Sequence, residues 1–198
     1  MTDLTERFGQ ALLYAFQLHN QQRRKGNLTP YIAHLLGVCS LVLEDGGDED
    51  EAIAALLHDA AEDQGGKETL EQMRSRFGER VASIVDGCTD TYETPKPPWR
   101  QRKDDYLTHL RTASPSILRV SLADKLHNAR TILVDLRGQG GQVWQRFNGG
   151  KAGSLWYYRS LAQIFQELHS SGIVCSPMVT MLDEVVTQIE KLAGEEQR

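Results

Sequence analysis

Within one short stretch, Ala54-Ala-Leu-Leu-His58-Asp59-Ala-Ala-Glu62-Asp63-Gln-Gly-Gly66, the chain sets an imidazole and three carboxylates into an apolar segment. His58 and Glu62 are four residues apart, as are Asp59 and Asp63, so on a helix each pair shares a face. An adjacent His and Asp beside Leu56 and Leu57 are costly to bury unless something compensates them. A divalent ion is one such compensation, and it leaves Glu62 and Asp63, one turn further on, to handle protons. A solvated amphipathic helix with an acidic end is the competing reading. Ligands elsewhere in the chain decide between the two.

Two further polar residues stand in apolar surroundings. His34 lies among Ile32, Leu35, Leu36 and Cys39, and Asp124 lies within Val120-Ser-Leu-Ala-Asp124-Lys-Leu126. Taken singly, His34 reads as a core histidine and Asp124 as the partner of a buried cation. Three separate apolar segments, each with a costly polar insertion, are hard to explain three times over. His34, His58, Asp59 and Asp124 therefore form a candidate ligand set. Mixed imidazole and carboxylate donors suit Mn2+, Fe2+ or Zn2+ better than an all-oxygen calcium cage. Such an ion activates a bound water, and a carboxylate one helical turn away can take its proton: hydrolytic chemistry.

These residues need helices to carry them. Apolar spacing predicts a first helix over 4–19, with Phe8, Leu12, Ala15 and Phe16 as its stripe, then a basic turn over 21–26. A second helix starts at Thr29-Pro30, and a third runs over about 51–64 through the opening motif. Shorter helices are predicted over 67–77 and 80–89, and a proline-rich loop over 94–100. A helix over 100–111 turns Tyr106, Leu107 and Leu110 to one side, and the longest helix runs from Pro115 to about 136. A short helix near 143–147 and two final helices over 152–170 and 177–192 complete the chain. No segment alternates with a period of two. The expectation is an all-α protein, a single helical domain over 1–198 with about eight to ten helices.

With 198 residues and a net charge of -5, the chain is not expected to bind nucleic acid generally. A polyanionic ligand would need a local basic cluster, and Arg23-Arg24-Lys25 is the nearest one to His34 in sequence. The basic aromatic stretch from Lys96 to Lys103 reads as a solvated loop or as a flap over phosphates. Trp156-Tyr157-Tyr158 offers rings that could stack on a purine, but aromatics at helical spacing read first as core. His19 and His127 read as packing or surface residues, and His109 and His169 as surface ones. No apolar run reaches the roughly 18 residues of a membrane span, and the first residues lack the apolar core of a signal peptide. Three widely spaced cysteines, Cys39, Cys88 and Cys175, suit small buried residues in a reducing compartment. The expected location is the cytoplasm. Nothing in the pattern specifies an oligomeric state.

His34, then His58-Asp59, then Asp124 resembles the H…HD…D pattern of the HD-domain metal-dependent phosphohydrolases. Arg24-Lys25, Pro30-Tyr31-Ile32-x-His34, His58-Asp59-x-x-Glu62-Asp63 and Leu122-Ala-Asp124-Lys-Leu-His-Asn128 together resemble the hydrolase domain of the RelA/SpoT family, in its stand-alone class of small alarmone hydrolases. The resemblance runs over about 5–165. It implies an HD-domain helical bundle that removes the 3′-pyrophosphate from (p)ppGpp-like nucleotides with one Mn2+. It also implies His34, His58, Asp59 and Asp124 as metal ligands, and Glu62 and Asp63 as the catalytic acid-base pair, with Glu62 the favoured base. Arg24 and Lys25 would hold phosphate, and Asn128 the nucleoside. Leu35 follows His34 where the family often has proline, and Ala60-Ala61 replaces bulkier residues. Neither change removes a ligand. The purine, guanosine or adenosine, stays open, as does an HD-type hydrolase acting on another nucleotide or a phosphomonoester.

Overall fold

The structure, a computed structural model, describes residues 2–26 and 28–195. In chain order the described residues form α1 (Glu6–His19), α2 (Ile32–Glu44), α3 (Glu49–Leu57), α4 (Ala60–Asp63), α5 (Gly66–Phe77) and α6 (Glu79–Cys88). There follow α7 (Trp99–Leu110), α8 (Pro115–Gln139), a 3-10 segment (Gly140–Arg146), α9 (Gly150–Ser170) and α10 (Met178–Glu195). No strand occurs among the described residues beyond an isolated antiparallel bridge between Arg23 and Pro30. The fold is all-α. No described helix is long and apolar enough to cross a membrane. Two compact units are present, one of Met1–Lys96 with Ala113–Ala123, the other of Pro97–Thr112 with Asp124–Arg198.

In the first unit α3 is the central element. Ile53, Leu56 and Leu57 are wholly buried, as are the alanines between them, and each large side chain contributes roughly 1.5–3 kcal/mol. The start of α3 is fixed by a capping box: the Asp48 side chain accepts from the Glu51 N–H at 3.0 Å, and the Glu51 carboxylate accepts from the Asp48 N–H at 3.0 Å. Arginines surround this acidic end. Arg119 donates to Asp45 at 2.9 Å and to Glu51 at 2.7 Å, Arg80 pairs with Asp48 at 2.6 Å, and Arg7 pairs with Asp50. Acidic side chains at a helix N-terminus complement its dipole, and Arg119 gives the buried Glu51 carboxylate an ion-pair partner. The turn into α3 needs glycine at Gly47, because a Cβ there would lie 2.6 Å from Val42 Cγ1 and 2.8 Å from the Val42 carbonyl oxygen.

α1 packs against α3 and buries Ala11, Tyr14, Ala15 and His19, with Tyr14 meeting Gln72 and Phe77 of α5 and His19 meeting Gln22 and Tyr31. The expected stripe is rotated: Phe16 is exposed, because the small Ala11 and Ala15 are what allow close approach, while Tyr14 and His19 bury their rings and bond through polar atoms. α6 buries Val81, Ala82, Ile84 and Val85.

The second unit packs α7 and α10 against α9. α7 buries Tyr106, Leu107 and Leu110, the side the spacing selects. The stretch expected as a loop becomes helical from Trp99, whose ring fits against Gly149 and Gly153 and packs edge-on to Trp156 and Tyr157. Arg100 lies over Trp156 at 3.5 Å and Lys103 over Tyr157 at 5.1 Å, so these cations are spent on aromatic faces. Of the cysteines Cys39 is buried, whereas Cys175 is exposed, contrary to expectation, because it sits in the turn after α9.

Candidate metal centre and acid pair

The helix expected over 51–64 is broken at its most polar point. α3 ends at Leu57, His58 and Asp59 form a turn, and α4 resumes at Ala60. His58 Nδ1 donates to the Ala55 carbonyl at 2.8 Å, a side-chain bond that competes with the helical ladder and accounts for the break. The backbone of both residues stays in the right-handed helical region and the Asp63 N–H donates to the Asp59 carbonyl at 2.9 Å, so Asp63 still follows Asp59 by one helical turn.

That same bond defines the chemistry of His58. A carbonyl only accepts, so Nδ1 carries the hydrogen and the neutral ring offers a lone pair at Nε2. His58 Nε2 lies 3.1 Å from Asp59 Oδ2, and His34 Nε2, from buried His34 in α2, lies 3.5 Å from the same oxygen. Ligand atoms of His34, His58 and Asp59 all fall within 4.8 Å of one another, a group that could hold a metal ion. Electron-rich atoms gathered this closely in a buried place call for a cation. Two nitrogens and an oxygen, with a carbonyl behind one imidazole, fit a divalent first-row ion.

Tyr31 braces the third member. Its hydroxyl donates to Asp59 Oδ2 at 2.6 Å, its ring meets His34 edge-on at 5.5 Å, and its other side stacks on His19 at 5.3 Å. Arg24 stands over the Tyr31 ring at 5.7 Å, and the basic turn is held by the bridge to Pro30 and by the Arg24 N–H donating to the Thr29 carbonyl at 2.9 Å. Lys25, beside it, is exposed. Arg24 is thus joined to the ligand group through one tyrosine.

The acid pair is held differently at each member. Glu62 accepts from Lys96 Nζ at 2.6 Å through Oε1 and from the Asp90 N–H at 3.2 Å through Oε2. Asp63 accepts from Gln22 Nε2 at 2.8 Å. Surrounding protein pushes the Asp63 carboxyl above the usual range, the Asp59 charge adds to that push, and the Gln22 amide opposes it. Its side chain is exposed to solvent, which tempers the shift.

In the second unit, Asp124 is buried and accepts from Asn128 Nδ2 at 2.5 Å and from Lys125 Nζ at 2.6 Å. The residues are one turn apart on α8, as their spacing predicts. Burial pulls the Lys125 ammonium down, but Asp124, Tyr106 and Tyr157 pull harder, and it is held well above its ordinary value. Lys125 lies over the Tyr106 ring at 4.9 Å.

So the first unit brings together His34, His58 and Asp59, with Glu62 and Asp63 one turn on, and links Arg24 to them through Tyr31. Asp124 and Asn128 form their own bonded pair in the second unit. The sequence pattern gives no role to Gln22, includes Tyr31 only as part of a motif, and leaves Lys96 in a stretch that reads as a solvated loop or a flap over phosphates. Tyr31 sits three residues before His34, a helical spacing that could have marked it. Gln22 and Lys96 lie in non-repetitive segments that carry no such signal.

A family model described as the HD domain matches residues 11–154. The chain is 40% identical over 126 residues to the guanosine-3′,5′-bis(diphosphate) 3′-pyrophosphohydrolase MESH1 of Xenopus tropicalis, a match that covers 62% of this chain and 68% of the frog protein. It is 37% identical over 122 residues to the human protein of that name, covering 60% and 65%. A probable guanosine-3′,5′-bis(diphosphate) 3′-pyrophosphohydrolase of Synechocystis is 38% identical over 125 residues, covering 62% of this chain but only 16% of that longer protein. Among solved structures, a metazoan orthologue of SpoT that hydrolyses ppGpp superposes with a TM-score of 0.75 at 27% identity, covering 95% of this chain and 98% of that one. The Listeria monocytogenes protein lmo0812 gives 0.70 at 28% identity, covering 85% and 99%. The His-Asp group and the acid pair both lie inside the matched span, and the chain belongs to the HD-domain family as a homologue of the MESH1 pyrophosphohydrolases.

Proposed function

We propose that this chain is a metal-dependent hydrolase that removes the 3′-pyrophosphate from a purine nucleotide carrying it, guanosine 3′,5′-bis(diphosphate) in the first place. The observation that carries the reading is the convergence of His34, His58 and Asp59 within ligand reach of one another, one turn ahead of Glu62 and Asp63, in a homologue of MESH1. His34, His58 and Asp59 hold one divalent ion, Mn2+ by preference, and Asp124 is assigned as the fourth ligand from its place in the motif. When bound, the ion supplies charge that lowers the pKa of a water and draws electron density from a phosphoryl oxygen.

The chain's own residues do the rest. Water adds to the phosphorus attached to the ribose 3′-oxygen, and the bond from that phosphorus to the 3′-oxygen breaks. Pyrophosphate leaves intact and the 3′-oxygen takes up a proton. Glu62, held in place by Lys96 and the Asp90 N–H, takes the proton from water, and Asp63 orients that water and shares the proton. Arg24 and Lys25 receive phosphate oxygens, with the arginine fork suited to two at once. Asn128 contacts the nucleoside.

The test is a side-by-side panel of guanosine and adenosine 3′-pyrophosphorylated nucleotides with Mn2+, read by product. Intact pyrophosphate together with a 3′-hydroxyl nucleotide is expected, with loss on chelation and a drop of at least roughly a hundredfold in Glu62→Gln. Manganese-loaded protein that leaves every such nucleotide intact while cleaving monophosphates would overturn the reading.

A further inference from the structure

We propose that Gln22 is a positioning residue for Asp63, tying the basic turn to the acid pair; the proposal rests on the function given above. Gln22 lies in the turn between α1 and α2, two residues before Arg24. Its side chain touches three groups. Nε2 donates to Asp63 Oδ2 at 2.8 Å, while Oε1 faces His19 Nδ1 at 2.6 Å and accepts from Gln64 Nε2 at 2.6 Å.

The directions of these bonds are mutually consistent. An ionised carboxylate only accepts, so the amide nitrogen of Gln22 must face Asp63. Both lone pairs of Oε1 are then used, one by the Gln64 amide and one by His19. His19 is buried and its imidazole is held below the usual range, chiefly by burial, so the neutral ring donates through Nδ1. The amide cannot turn over without losing all three bonds. The Gln22 carbonyl accepts the Tyr31 N–H at 3.0 Å, so one residue touches Asp63 with its side chain and steadies with its backbone the tyrosine that braces Asp59. A phosphate drawn to Arg24 therefore bears on a turn whose neighbouring residue aims the Asp63 carboxylate.

The charged and titratable groups around Asp63 are few. Asp59 and Glu62 raise it and Lys96 lowers it. α1 presents His19, which reaches Asp63 through Gln22, and α5 presents Thr69, whose hydroxyl donates to the Gln64 carbonyl at 2.9 Å. A donor to the ionised form favours that form, so the Gln22 amide opposes the upward push of burial and Asp59 on the Asp63 carboxyl.

The experiment uses Gln22→Met, which keeps the length of the side chain and the backbone bond to Tyr31 but removes the donor and acceptor. Hydrolysis of guanosine 3′,5′-bis(diphosphate) by manganese-loaded protein is expected to lose about tenfold in kcat with KM changed less than about threefold, the low end for a bond to a charged group because the pair reaches solvent. The acid limb of the pH profile should move to higher pH. In an Asp63→Asn background, Gln22→Met should cost nothing further on the residual rate. A wild-type-like kcat and pH profile, or an equal loss in both backgrounds, would overturn the proposal while leaving the proposed function intact. Failure of the wild-type chain to cleave the nucleotide would instead sink the function. In that event carbon NMR titration of the Asp63 carboxyl in metal-free protein decides the role of Gln22, with a higher midpoint in Gln22→Met supporting it and an equal midpoint refuting it.

Discussion

Lys96 Nζ lies 2.6 Å from Glu62 Oε1, in a segment whose sequence reads as a solvated loop or a flap over phosphates. Lys96 is exposed over 44% of its side chain and Glu62 over 19%, so the pair contributes about 1 kcal/mol or less to stability. Its effect belongs to activity. Lys96→Met is expected to leave the melting temperature within about 2 °C of wild type and to lower kcat/KM for the 3′-pyrophosphorylated substrate about tenfold. Thermal melts beside steady-state kinetics check this, and unchanged kinetics would reduce the pair to a surface contact.

Tyr31 touches the ligand group but offers it no ligand atom of its own. Removing only its hydroxyl, in Tyr31→Phe, takes away the donor to Asp59 and keeps the ring between His19 and His34. Metal affinity should fall about ten- to a hundredfold, as is usual when the group behind a ligand is lost. Calorimetric titration of the metal-free protein with Mn2+ measures it, and equal affinities would show that Asp59 needs no brace.

An ion bound by the folded chain stabilises it by mass action, about 2.7 kcal/mol at a hundredfold excess over Kd. For a chain of this length that corresponds to roughly 5–10 °C in Tm. Differential scanning fluorimetry with Mn2+ and with EDTA should show that separation, and His34→Ala should abolish it by removing a ligand.

His19 makes stability depend on pH. Its folded-state pKa is lowered, first by burial, and its Nε2 is buried without a hydrogen-bond partner, so a second proton has no acceptor there. A depressed pKa contributes stability that is present above the unfolded value near 6.5 and is lost as pH falls toward and through the folded value. Metal-free protein should therefore lose Tm below pH 6.5, and His19→Asn should flatten that slope. Parallel slopes in the two proteins would place the acid sensitivity elsewhere.

Arg119 serves the frame. It reaches Glu51, whose side chain is 4% exposed, and Asp45, also 4% exposed. Breaking a buried pair from one side usually costs roughly 3–5 kcal/mol, and Arg119→Met should fall at the low end because the Asp48 N–H still reaches Glu51. Urea denaturation gives the figure, and a loss below about 1 kcal/mol would mean that Glu51 finds another cation.

Much of this was legible in the sequence because it depends on periodicity and on polar residues set among apolar ones. His34, His58 and Asp59 stand out for that reason, and the structure brings them together. The side of α7 and the start of α8 follow from spacing and from Pro115. Three features were not legible, each for a physical reason. The break at His58 depends on a bond from a side chain to its own helix, which competes with the ladder without altering composition. The rotated face of α1 depends on small residues allowing close approach, which hydrophobicity alone does not register. The roles of Gln22, Tyr31 and Lys96 depend on hydrogen bonds across 28 to 41 residues of chain, which no local pattern encodes.

The junction between α3 and α4 also couples two parts of the site to change. Ala60 and Ala61 are wholly buried, and the Asp63 N–H donates to the Asp59 carbonyl at 2.9 Å, so the four-residue helix that carries Glu62 and Asp63 hangs from a residue of the ligand group. A backbone change at 60–61 would move acids and ligand group together. A lineage, or an engineer, re-aims the acids more cheaply through the side chains that hold them, Gln22 and Lys96, which come from other segments of the chain.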